Sequence, residues 1–123
     1  MHSLRNYSLF VTNLFLKEAR HLKKRYPNIK KSFKALKKDL QTDPIARSEA
    51  SLGQSCYKVR MEIDGKQSGR SYGARVIIYV KIIDKVVYLL SVYDKSDKGD
   101  LDVALEKLLA QKDDPVHRSK GLR

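Results

Sequence analysis

Cysteine is nearly absent from this 123-residue chain, with Cys56 the only one. One thiol can close no internal disulfide and build no zinc finger, and it fits a reducing compartment, so stapled secreted scaffolds are excluded. Histidine is also scarce. His2, His21 and His117 are spread between the first helix and the two ends, which suggests neither a paired-histidine ribonuclease site nor a metal cluster. Glu62, Asp64, Asp84 and Asp94 fall at strand ends without the spacing of a metal-binding set, and no cofactor is expected. The longest apolar run, 76–92, is broken by Lys81, Asp84 and Lys85, short of the ~20 residues a membrane-spanning helix needs. Arg5 before the short segment 7–12 is no signal-peptide core. The expectation is a soluble, cytoplasmic protein with no membrane partner.

Positive charge is abundant: 26 Lys and Arg stand against 14 Asp and Glu, a net charge of +12. The length suits one domain, expected over 1–112 with a loose tail at 113–123, and such a chain buries roughly two-thirds of its unfolded surface. The charge favours anionic partners, nucleic acid first among them.

A short strand is expected at 7–12. Phe15, Ala19, Leu22 and Tyr26 then recur at helical spacing up to Pro27, and Ile29, Phe33, Leu36 and Leu40 repeat it after Asn28, an N-cap position, as far as Thr42. The two helices form a hairpin. Its polar faces carry ten cations, Lys23, Lys24, Lys30, Lys31 and Lys34 among them, set against Glu18. They read either as a solvated face or as a footprint on RNA phosphates.

Residues 43–55 read as a loop. From Cys56 the period becomes two: Tyr57, Val59, Met61 and Ile63 alternate with Cys56, Lys58, Arg60 and Glu62. Strands at 75–83 and 86–94, linked through Asp84 and Lys85, complete an antiparallel meander. A last amphipathic helix is marked by Leu101, Leu105, Leu108 and Leu109, with Asp100 as N-cap. The expected order is β-α-α-β-β-β-α, an α+β fold with an antiparallel sheet and the helical hairpin on one face.

If each apolar set faces inward, Lys58, Arg60, Arg75 and Lys95 gather around Tyr93 on the face away from the helices, with Ile77, Tyr79 and Ser91 beside them. Four cations repel one another unless an anion joins them. The 64–73 loop, with Gly65, Gly69 and Gly73, brings Lys66 and Arg70, and Lys98 follows the last strand. The loop is no P-loop, because Gln67 stands where Ser or Thr belongs and a strand follows. Without histidine or metal, phosphodiester cleavage remains open to such a cluster. Arg and Lys hold the developing charge, and a Lys or Tyr whose pKa is lowered by cationic neighbours moves the proton.

Three segments, Cys56-Tyr57-Lys58-Val59-Arg60-Met61, Gly73-Ala74-Arg75-Val76-Ile77-Ile78-Tyr79-Val80 and Val87-Tyr88-Leu89-Leu90-Ser91-Val92-Tyr93-Asp94-Lys95-Ser96, resemble the RelE/HigB toxins of bacterial type II toxin-antitoxin systems. The likeness spans about residues 8 to 110. It implies a metal-independent, ribosome-dependent endoribonuclease that cleaves translated mRNA and is held by a cognate antitoxin. By position, Lys58 and Arg60 match the basic strand, Arg75 the phosphate-holding arginine and Lys95 the basic strand end. Tyr93 is one candidate for the tyrosine, which in well-known members lies further on, where this chain has Lys98, Gly99 and Asp100. Two alternatives stay open: a gyrase-inhibiting toxin of the related ParE branch, and a non-catalytic RNA-binding module.

Overall fold

The structure, a computed structural model, describes residues 6–63 and 73–96 and the backbone of 116–118. Its elements are β1 (Ser8–Thr12), α1 (Asn13–Arg25), α2 (Ile29–Thr42), β2 (Ser48–Gly53), β3 (Cys56–Met61), β4 (Ala74–Lys81), β5 (Val86–Asp94) and β6 (Val116–Arg118). The expected helix around Leu101 to Leu109 falls outside the described residues, as do Lys66, Arg70 and Lys98.

The strands form one sheet in the order β2-β3-β4-β5-β1-β6. Three expectations need correction. The sheet is mixed rather than antiparallel, because β1 runs parallel to β5, pairing Ser8 with Val86 and Val11 with Leu89. Residues 43–55 are not all loop: β2 pairs with β3 through a tight turn at Gln54 and Ser55, both at positive φ. Within the segment expected to be a loose tail, β6 pairs antiparallel with β1 and so gives β1 a neighbour on each side. The β4–β5 link is also longer than the pair Asp84-Lys85. Lys81 faces Val86 across a four-residue turn closed by the Lys85 amide on the Ile82 carbonyl at 3.2 Å.

Both helices pack on one sheet face. Phe15, Ala19 and Leu22 of α1 and Ile29, Phe33, Leu36 and Leu40 of α2 share a core with Leu9, Val11, Val59, Val76, Ile78 and Leu89. Phe15 and Phe33 meet edge to face at 5.8 Å. At its far end the hairpin touches Asp94 through Arg25 and Tyr26, and at its return the Gln41 carbonyl accepts the Tyr7 amide at 2.9 Å. Thus α1 follows the direction of β5 and α2 runs back toward the start of β1.

β1 stops at Thr12, so the second half of β5 would have an open edge, and α1 closes it. Thr12 Oγ1 donates to the Leu90 carbonyl at 3.0 Å and accepts from the Phe15 amide at 3.1 Å as N-cap of α1. Glu18 accepts from the Val92 amide at 3.0 Å and the Ser91 hydroxyl at 2.7 Å. An isosteric Thr12→Val substitution removes the cap and strands a buried carbonyl. It is expected to lower stability by about 2–4 kcal/mol, read by urea unfolding. Asn28 occupies the N-cap position of α2, but its side chain makes no capping bond.

Lys23, Lys24, Lys30, Lys31 and Lys34 are exposed on the hairpin. Glu18 is not its only carboxylate. Asp39 of α2 pairs with Arg47 at 3.3 Å, which trims the excess on the two helices to eight charges.

Candidate functional site

Alternation along β3 and β4 turns Lys58, Arg60, Arg75, Ile77 and Tyr79 away from the helices, because Val59, Met61, Ala74, Val76 and Ile78 are claimed by the helix-side core. A β-bulge intervenes on β5, where Ile77 pairs with Ser91 and Ile78 with Leu89, leaving Leu90 as the extra residue. Leu90 and Tyr93 consequently join Ile77 and Cys56 in a second, smaller apolar cluster. Ser91, expected beside the cations, instead gives its hydroxyl to Glu18.

Register then sets Arg60, Arg75 and Tyr93 in one row across three strands. Lys58 faces Ile77 two residues along, and the Lys95 amide is tied to the Gly73 carbonyl at 2.9 Å, next to the start of β4. Lys58, Arg60 and Lys95 are half-buried. Arg75 is only 3% exposed, which an uncompensated guanidinium would not tolerate. Its Nε donates to Glu49 Oε1 at 2.9 Å, and one terminal nitrogen donates to the Ala74 carbonyl at 3.3 Å. Glu49 is therefore the anion that the crowded cations call for. It rides on β2, at an irregularity between the Ser48 and Ala50 pairings.

Gly73 stands at φ +106°, and a Cβ there would lie 2.8 Å from the Met61 carbonyl oxygen. Only glycine fits that position, which explains the Gly-Ala-Arg start of β4. At the far end of the row, Asp94 is 1% exposed and accepts bonds from Arg25, Tyr26 and Ser96. Its Oδ2 takes Arg25 at 3.2 Å and the Tyr26 hydroxyl at 2.7 Å, and its Oδ1 takes the Ser96 amide at 3.0 Å and hydroxyl at 2.9 Å. The hairpin is thereby fastened to the strand end that carries Tyr93 and Lys95.

Burial pushes the Tyr93 phenol above its ordinary value near 10; the Arg75 charge opposes this and the Glu49 charge adds to it. A phenol with lowered pKa was the expectation, and the structure reverses it. Tyr93 keeps its proton at neutral pH, and its hydroxyl is buried. The Cys56 thiol is likewise raised by burial from near 9. Both groups hold protons more tightly folded than unfolded, so stability is full below pH 9 and falls as the pH climbs past 9 and 10 toward the raised values. Chemical denaturation between pH 8 and about 11 should show this decline, and Tyr93→Phe together with Cys56→Ala should flatten it.

No family model and no curated protein sequence matches the chain. Among solved structures it is similar to the E. coli toxin RelE, in a double arginine-to-alanine mutant in the free state. The TM-score is 0.58 at 21% identity, and the match covers 87% of this chain and 98% of the RelE chain. The fold is RelE-like. On this RelE-like sheet the sequence reading brought forward Lys58, Arg60, Arg75, Tyr93 and Lys95 but missed Glu49. Only a prediction of β2 would have carried Glu49 to Arg75. Among the described residues no three His, Cys, Asp or Glu side chains come together to hold a metal ion, and no helix is long and apolar enough to cross a membrane.

Proposed function

We propose that the chain is a RelE-type toxin, an endoribonuclease that cleaves translated mRNA on the ribosome and is restrained by a cognate antitoxin. The row Arg60–Arg75–Tyr93 on a RelE-like sheet supports this most directly. In the scheme, Arg60 and Arg75 hold the scissile phosphate and the charge that develops on it as the 2′-oxygen attacks phosphorus. Lys95, half-buried two residues past Tyr93, gives its proton to the leaving 5′-oxygen, while the Tyr93 hydroxyl stays buried, and Glu49 offers a carboxylate oxygen beside Arg75 to take the 2′ proton. A 2′,3′-cyclic phosphate and a 5′-hydroxyl result. Lys58 and Lys95 add charge at either side of the row. No step calls for a metal ion held by the toxin itself.

The exposed Lys23, Lys24, Lys30, Lys31 and Lys34 supply a second, sequence-independent contact to ribosomal RNA phosphates. The same reading places the toxin in the cytoplasm, with a neighbouring gene for the antitoxin of a type II system and with HigB-like members among its kin. Primer extension on total RNA after brief induction tests it. New 5′ ends inside translated codons are expected. Intact mRNA with DNA damage would point to the gyrase-inhibiting alternative, and no growth arrest with salt-sensitive RNA binding to the non-catalytic one.

A further inference from the structure

The face that carries the cations also carries a row of aromatic rings that the cleavage scheme does not use. Tyr79 of β4 and Tyr88 of β5 are cross-strand partners with ring centroids 5.7 Å apart and planes 18° from parallel. Phe10 of β1 extends the row, 5.7 Å from Tyr88, to which it is paired in register. All three rings are half-buried, and Tyr79 and Tyr88 pack against the second cluster of Cys56, Ile77, Leu90 and Tyr93. Tyr79 lies four residues from Arg75 along one strand, about 14 Å away at the rise of a β-strand. Between them, on the same side, comes Lys58, opposite Ile77.

We infer that Phe10, Tyr79 and Tyr88 form a stacking platform for unpaired bases of the same RNA strand whose phosphate is held at Arg75. The inference rests on the RNA-cleaving reading and extends it from the scissile phosphate to the flanking nucleotides. A sheet face combining aromatic rings with cations is the composition by which single-stranded nucleic acid is bound, because every base has a π-face while the cations follow the backbone. Charge complementarity selects the occupant. Lys58, Arg60 and Arg75 line the approach, and Glu49 is bonded to Arg75. An RNA strand following β4 from Arg75 passes Lys58 and then meets Tyr79 and Tyr88.

The chain has no tryptophan, so its tyrosine emission is readable directly. The full chain, without ribosomes, is titrated with a mixed-sequence oligoribonucleotide and with an abasic strand of the same length. Wild type should bind the base-containing strand about tenfold more tightly and lose tyrosine emission on binding it. Tyr79→Leu and Tyr88→Leu, which keep apolar bulk, should each abolish most of that preference while leaving the salt dependence of binding unchanged. Tyr79→Phe and Tyr88→Phe should retain the preference, which separates lost stacking from a damaged fold. Equal binding of the two strands by wild type overturns the inference. So does an undiminished preference in both leucine variants, which would make the ladder a cross-strand stabilising stack or a protein-docking surface. Because cleavage is not read, an absence of cut mRNA in cells would sink the nuclease reading without touching this result.

Discussion

Arg75→Met should reduce RNA cleavage about 10²- to 10³-fold while leaving the fold nearly intact, as measured by product formation on translated mRNA and by thermal unfolding. The reason lies in the asymmetry of the Arg75–Glu49 pair. The Arg75 side chain is 4% exposed and that of Glu49 39%. When the arginine is replaced by an apolar chain of similar length, Glu49 turns its carboxylate to water at little cost and the apolar stem still packs. The reverse substitution, Glu49→Ala, leaves a guanidinium buried without its counter-ion, and removal of one partner from such a pair costs up to about 3–5 kcal/mol. Solvent at the glutamate screens part of that, so a loss of about 2 kcal/mol is the expectation. The two halves of one ion pair thus differ in stability rather than in activity: both variants should lose cleavage, since Glu49 is the proton acceptor of the scheme, but only Glu49→Ala should also lose stability. A loss of stability in Arg75→Met as large as that in Glu49→Ala would show that the pair acts as a structural unit alone.

Asp94→Ala should be strongly destabilising, about 3 kcal/mol, because it removes the hydrogen bonds of Arg25, Tyr26 and Ser96 to one buried carboxylate and leaves the Tyr26 and Ser96 donors to find water. The Arg25 part is small, since that side chain is 47% exposed and its attraction is screened. Asp94→Asn keeps the shape and one acceptor and should cost about half as much. Urea denaturation of the two variants side by side checks the ratio. A near-equal loss would mean that charge, rather than hydrogen bonding, holds the hairpin to β5.

Much of this architecture was legible from periodicity. Helix α2 and strand β5 begin and end where the spacing of Ile29 to Leu40 and of Val86 to Tyr93 places them. Local pattern also turned Lys58, Arg60 and Arg75 to one face. It carries no information on which strand lies beside which, so the parallel pairing of β1 with β5 could not be read from alternation. Strand β2 was hidden for a different reason. Ser48-Glu49-Ala50-Ser51-Leu52-Gly53 sits at a sheet edge with no fully buried residue, and its turn places Gln54 and Ser55 at positive φ where glycine or asparagine is the usual signal. Losing β2 meant losing Glu49, and with it the counter-charge of the site. The bulge at Leu90 has the same character. It changes the parity of β5 by one residue and sends Ser91 to Glu18, a shift no two-residue period reveals.

The position of β1 between β5 and β6 also governs when the molecule can exist. Its first strand, complete by residue 12, has both of its partners beyond residue 85. During synthesis that strand waits, unpaired, while residues 13–85 are made, and the long loop closure places this domain among slow, non-local folders. α1 faces the same delay, since Thr12 and Glu18 find their acceptor and donors only on β5. A chain cut short before β5 therefore leaves Arg75 without Tyr93 and the hairpin without an anchor. If the protein acts against translating ribosomes, its own order of assembly withholds the finished site until β5 has been made.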